Sequence, residues 1–326
     1  MMRPSRNRVR RWTSDVARRT SYVVCVIAGM AGGLQAQTQL VIVSGLGGDP
    51  KYTLAFGQLS GALAKAASER AGLPDSAITW LGENGSPRSP WYRGVSTREN
   101  LERVFQRLSS GSNAPVIVIL IGHGSGEGTE TRVSLPGPDM TAADFARALA
   151  RFGARPVAFL NLASASGDML GLLAAPGRVV MTATKSAFER NESQFARFFV
   201  DALALDGADT DKDGRVSLLE AFKFAEAETK RFYENDSRLA TEHAQIADEG
   251  MLAGRFFLSS GASGAGPASG RLAELYRERD AIDQEIQALK ARKVSMAADA
   301  YDAALEKLLL DLAQKSREIR DLEKGS

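Results

Sequence analysis

Between about residues 39 and 205 the chain alternates short apolar runs with segments whose apolar positions recur every three or four residues. Leu40-Val41-Ile42-Val43 is a compact, mostly β-branched run, stopped by Gly45-Leu46-Gly47-Gly48. Leu54, Leu59, Leu63 and Ala67 then line one face of a helix that ends near Gly72-Leu73-Pro74. Residues 77–81 read as a second strand, followed by a loop rich in Pro, Gly and Ser over 82–94. Ser96-Thr97-Arg98-Glu99 has capping-box spacing and precedes a stripe of Leu101, Val104, Phe105 and Leu108. Residues 116–121 are apolar at every position, as expected of a parallel strand covered on both faces. Thr141 and Asp144 open another helix with Phe145 and Leu149 inward. Residues 157–160 and 179–181 give two more strands, and a helix over about 192–205 carries Phe195, Phe198, Phe199 and Ala202. This alternation predicts an α/β domain built on a mostly parallel sheet with helices on both faces.

In such sheets, ligands gather beyond the carboxyl ends of the strands. That rule selects 45–49, 122–126 and 162–167, each a small-residue or glycine-rich loop directly after a strand. Gly45-Leu46-Gly47-Gly48 lacks the third glycine of a dinucleotide loop and is read as a rim of the cleft. Trp91 and Tyr92 either line that cleft or anchor their loop.

Composition changes the picture at both ends. Residues 1–19 carry seven arginines and one acid, and an apolar run over 22–31 leads to small residues ending at Ala36. This describes a secretory signal over 1–36, with Arg10-Arg11 and Arg18-Arg19 as weak hints of twin-arginine export. The run is short for a membrane span, so a membrane is expected only through an uncleaved signal. The exported chain would be periplasmic or secreted. Without 1–36 the balance of 41 basic to 39 acidic residues becomes 34 to 38, which gives no reason to expect a nucleic-acid partner. The single cysteine, Cys25, lies in the signal, so the exported chain has neither a disulfide nor a thiol.

Residues 37–258 form the expected α/β domain. Residues 259–270 are a Gly/Ser/Ala/Pro linker, flexible by composition. From 271 to 326 the chain is charged, with Leu272, Leu275, Ile282, Ile286, Leu289, Tyr301, Leu305, Leu308, Leu312, Ile319 and Leu322 at helical spacing. A break near 295–298 fits a helical hairpin or coiled coil, through which copies could form a homo-oligomer.

The most specific motif is Asp209-Thr210-Asp211-Lys212-Asp213-Gly214-Arg215-Val216-Ser217-Leu218-Leu219-Glu220. It has the spacing of an EF-hand-type calcium loop. Asp209, Asp211 and Asp213 would give carboxylate oxygens, Arg215 its carbonyl, Ser217 a hydroxyl or water contact, and Glu220 two oxygens. Gly214 permits the turn. A lone loop of this kind is expected to brace structure. His243 has no second ligand at metal spacing, so zinc is not expected.

His123 stands directly after the central strand in Ile121-Gly122-His123-Gly124-Ser125-Gly126, which places it at the ligand end of the sheet. The next strand ends in Leu160-Asn161-Leu162-Ala163-Ser164-Ala165-Ser166-Gly167-Asp168-Met169. With Thr182-Ala183-Thr184 and Glu192-Ser193, this order of motifs over about 39–205 resembles the legumain family of cysteine peptidases and, more broadly, the caspase-like fold. The resemblance implies catalytic positions at His123 and Ser164, with the Gly124 and Ser164 amides as oxyanion donors. Two positions depart from it. Ser164 replaces the family's cysteine, and Leu162 replaces a glutamate that resembles part of the family's recognition pocket, so the family's substrate preference is not carried over.

Serine does not ionise usefully and needs a well-placed base and an orienting acid; no acidic third member is evident next to His123. The expectation is therefore a pseudoenzyme: an exported, calcium-binding peptidase homologue that has lost cysteine-protease activity and holds a peptide or protein partner in its cleft. The alternatives are a serine-type hydrolase using Ser164 and His123, and a scaffold whose working part is the C-terminal helices.

Overall fold

In the computed structural model the described residues are 37–83, 89–205, 207–210, 214–249, 252–258 and 271–324. The expected signal (1–36) and linker (259–270) therefore lie outside them. β1 (Gln39–Ser44) feeds α1 (Pro50–Lys65), whose first turn is fixed by Asp49 accepting from the Lys51 amide and by Pro50, which has no amide to satisfy. β2 (Ile78–Gly82), β3 (Tyr92–Val95) and α2 (Arg98–Ser109) follow. The cap of α2 is Thr97, which accepts from the Asn100 amide, one residue later than the capping-box spacing indicated. β3 occupies the end of the segment read as loop.

β4 (Val116–Ile121) is buried at every position. It leads into a small antiparallel sheet of β5 (Gly124–Ser125), β6 (Arg132–Val133) and β7 (Met140–Thr141). α3 (Ala142–Ala150) opens with a reciprocal Thr141–Asp144 capping box. Then come β8 (Val157–Asn161), α4 (Met169–Leu173), β9 (Arg178–Thr182), α5 (Phe195–Ala204), α6 (Leu218–Asn235) and β10 (Gln245–Ala247). The seven-stranded sheet runs β10-β9-β8-β4-β1-β2-β3, parallel throughout except for β10 against β9.

Alternation along each strand divides the core. Leu40, Ile42, Ile117, Ile119, Leu160 and Met181 belong to one side, with Phe56 and Leu63 of α1, Phe199 of α5 and Phe222 of α6. Val41, Val43, Val118, Leu120, Phe159 and Val180 belong to the other, with Leu101, Phe105, Phe145, Leu149 and Leu173 from α2, α3 and α4. The register joins like to like, pairing Leu40 with both Ile78 and Ile117.

Two helices, α7 (Arg271–Ala291) and α8 (Ala298–Lys324), pair antiparallel. Leu275, Ile286, Leu289, Tyr301 and Ile319 are buried in this hairpin, and Lys315 bonds Glu278 at 2.8 Å. Among the described residues no helix is long and apolar enough to cross a membrane.

Candidate functional site

The parallel strands place the loops after β1, β4, β8 and β9 at one end of the sheet, and hydrogen bonds tie those loops together. The Gly45 amide donates to the Ile121 carbonyl (2.8 Å), and the Leu46 amide to the Ser134 carbonyl (2.8 Å). The Asp168 carboxylate accepts from the amides of Gly128 (2.7 Å) and Ala187 (3.2 Å). The Ala165 amide donates to the Glu189 carbonyl (2.8 Å). Ser166, Thr184 and the amides of Gly167 and Ala183 form a buried hydroxyl network at 2.9–3.2 Å. Ala165, fully buried, sits in the left-handed region at φ 52°, which these bonds hold against the usual preference of an L-residue.

Close approach explains Gly124. A Cβ there would stand 3.1 Å from the Arg132 carbonyl oxygen and nearer still, well under 3.0 Å, to that of Ser164. Only a glycine lets the loop after β4 lie against the loop after β8. The Gly124 amide points at the Ser164 hydroxyl, at the long distance of 3.5 Å. One of the two amides expected to receive an oxyanion is thus directed at the serine oxygen itself. Ser164 is 2% exposed.

His123 is half-buried between aromatic rings of α1. Tyr52 meets its imidazole edge-on at 4.6 Å and Phe56 at 5.0 Å. Both come from one helix face, at spacing i and i+4. Desolvation holds the imidazole pKa below its ordinary value, with the charge of Glu192 working in the opposite direction. Burial thus favours the neutral imidazole. It makes no hydrogen bond to Ser164 or to any other described residue.

The imidazole opens instead into a cavity of about 410 Å³ between α1 and α5, lined among others by Phe56, Leu59, Ile121, Leu162, Glu192 and Arg197. Leu162, where the resemblance called for a glutamate, lines this apolar wall. Ser164 is not among its lining residues. Glu242, 4% exposed, fixes the far rim: it accepts from the Ser193 hydroxyl (2.7 Å), the Gln194 amide (2.8 Å), the Phe195 amide (3.2 Å) and the Tyr233 hydroxyl (3.1 Å). Sequence reading missed Tyr52, Phe56, Arg197 and Glu242. Only the first two had a visible signal, their spacing on a helix that follows a site-bearing loop. His243 is placed apart from His123, its Nδ1 2.5 Å from Glu189.

The calcium-loop residues that are described form a closed turn before α6. Gly214 has φ +87°, and its amide donates to Asp209 at 2.9 Å. Ser217 and Glu220 make a capping box, while the other Glu220 oxygen accepts from the amide and hydroxyl of Thr210 (2.8 and 2.9 Å). The Leu218 amide is anchored on the Phe256 carbonyl (2.8 Å). Asp211 and Asp213 lie outside the described residues. Among the described residues no cluster of three or more acidic or imidazole groups could hold a metal.

No family model matches the chain, and no curated protein does. Among solved structures it is similar to the Drosophila initiator caspase Dronc, with 12% identity over 69% of this chain and 87% of that one, at a TM-score of 0.44. It is also similar to drICE, with 10% identity over 66% of this chain and 88% of that one, at a TM-score of 0.40. The chemistry of the site rests on its own residues.

Proposed function

We propose that this chain is an exported, calcium-binding, caspase-like peptidase homologue. In this reading it holds a peptide or protein segment in the His123 cavity and does not cleave it. The observation that carries the reading is the separation of the two catalytic positions. Ser164 is buried with its hydroxyl under the Gly124 amide, while His123 is unbonded to it and faces a cavity that Ser164 does not line. A neutral serine hydroxyl without a bonded base is a poor nucleophile. A cavity of this size with apolar walls and polar groups at its rim suits a side chain of a bound ligand.

Export rests on the arginine-rich, apolar and small-residue pattern of 1–36. Calcium rests on the oxygen-rich spacing, the left-handed Gly214 and the turn closed by Asp209 and Glu220, a donor set that fits a hard cation. Asp209, Asp211, Asp213, Arg215, Ser217 and Glu220 would hold the ion, and its effect would be to brace the start of α6. The hairpin of α7 and α8 supplies the surface for self-association.

The test is proton NMR of the imidazoles, since the chain has two histidines, His123 and His243. Capped tetrapeptides varied at one position are titrated in and then recovered. Saturable shifts of His123 with intact peptides support the reading. Cleaved peptides, or no shift with any peptide, overturn it.

A further inference from the structure

A second and larger cavity, about 780 Å³, opens on the other side of α1, beyond the ends of β1 and β2. Gln58 of α1 lines both cavities, so the two adjoin across that helix. Leu46 and Gly48, from the loop expected to rim the cleft, and Tyr92 line this second cavity and not the one at His123.

Two aromatic rings are fixed in its wall. The rings of Trp80 and Tyr92 stand 5.8 Å apart at 86°, making a corner. Trp80 is held by its indole N–H, which donates to the Ser44 hydroxyl (3.0 Å), which in turn donates to Ser60 (2.8 Å). Gly82 lets the Tyr92 ring lie against the strand: a Cβ there would stand 3.1 Å from it.

Among the described residues, the charged side chains that line the cavity are both acidic, Asp49 and Glu83. Each uses one oxygen locally. Asp49 Oδ1 caps α1, and Glu83 Oε2 accepts from the Gly47 amide at 3.0 Å. Asp49 Oδ2 and Glu83 Oε1 have no partner among the described residues. Two carboxylates beside an aromatic corner offer both charge pairing and a ring face, the combination that receives guanidinium or ammonium groups.

We propose that this cavity is a site for a basic side chain, arginine or lysine. As a subsite of a bound peptide the assignment rests on the proposed reading of the His123 cleft; as a cation pocket it stands alone. The experiment follows the Trp80 indole N–H resonance of the full chain during titration with N-acetyl-argininamide and with N-acetyl-norleucinamide. The arginine compound is expected to shift Trp80 saturably and to bind at least about tenfold more tightly than the uncharged one, the gain of a charged hydrogen bond. D49N/E83Q keeps the cap and the Gly47 bond, because each amide oxygen still accepts, yet removes both charges. It should bring the arginine compound down to the norleucine level.

Equal affinities in the parent, or an unchanged preference in D49N/E83Q, overturn the assignment. Trp80 shifts by the arginine compound, with no peptide shifting His123, keep the cation pocket and sink only the peptide reading. Peptides that shift His123 irrespective of a basic residue, with Trp80 silent, do the reverse.

Discussion

The contact of Gly124 with the Ser164 loop makes a quantitative prediction. In Gly124→Ala the new methyl meets two backbone carbonyl oxygens, those of Ser164 and Arg132. Neither is the end of a flexible side chain. Gly124 also pairs with Val133 in the small sheet, so it cannot retreat without breaking that pair. Gly124 does not have positive φ, so the cost is steric and not conformational. Overpacking against an unyielding wall costs about 1–3 kcal/mol, and two backbone contacts place this variant near about 3 kcal/mol. For a domain of this size that corresponds to a fall of about 6–12 °C in Tm. Gly57→Ala is the matched control. It lies inside α1 with nothing within 4 Å of its added Cβ, and should stabilise by about 0.5–1 kcal/mol. Urea and thermal unfolding of the three proteins measure both changes. A Gly124→Ala protein within about 0.5 kcal/mol of the parent, no more than an ordinary surface substitution, would refute the close packing of the two loops.

Three further outcomes follow. Glu242→Ala leaves the donors of Ser193, Gln194, Phe195 and Tyr233 without their acceptor and should destabilise by about 3 kcal/mol, Glu242→Gln by less; equal unfolding curves for Glu242→Ala and the parent would contradict the network. His123 should titrate below the ordinary imidazole value of about 6.5. Above that value the imidazole is neutral folded and unfolded; as pH falls below it the unfolded chain takes the proton first, so folding stability is lost down through the folded pKa. His123→Gln should flatten that acid-side decline, and an NMR midpoint at or above 6.5 would count against the desolvated environment. Calcium at a hundredfold excess over its Kd should add about 2.7 kcal/mol to the unfolding free energy. Glu220→Gln should lose most of that gain, and a parent indifferent to calcium and to chelator would contradict the metal site.

Much of the sheet was legible because its strands are buried on both faces. Runs such as 116–121 admit few other readings, and the capping residues Thr141 and Asp144 announced α3. β3 and β10 were not legible. Tyr92-Arg93-Gly94-Val95 and Gln245-Ile246-Ala247 lie at the sheet edges, where no residue is fully buried and pairing is imposed by the neighbour rather than by an apolar pattern. The small sheet was missed because its strands are two residues long, too short to show an alternating pattern.

At the site, the strand-end rule found His123, Gly124 and Ser164, because position in a parallel sheet is a backbone property. It could not find that His123 packs on Tyr52 and Phe56, or that the Ser164 hydroxyl lies under the Gly124 amide. Those depend on side-chain placement between segments distant in sequence. Glu242, 48 residues beyond Gln194, whose amide donates to it, carried no local sign at all.

The central claim is that Ser164 and His123 no longer form a working nucleophile and base. Fluorophosphonate labelling of the purified protein, with and without calcium and with Ser164→Ala alongside, tests it most directly. The account predicts no labelling of the folded protein in either condition. Labelling that disappears in Ser164→Ala and in His123→Ala would show a serine hydrolase and contradict it.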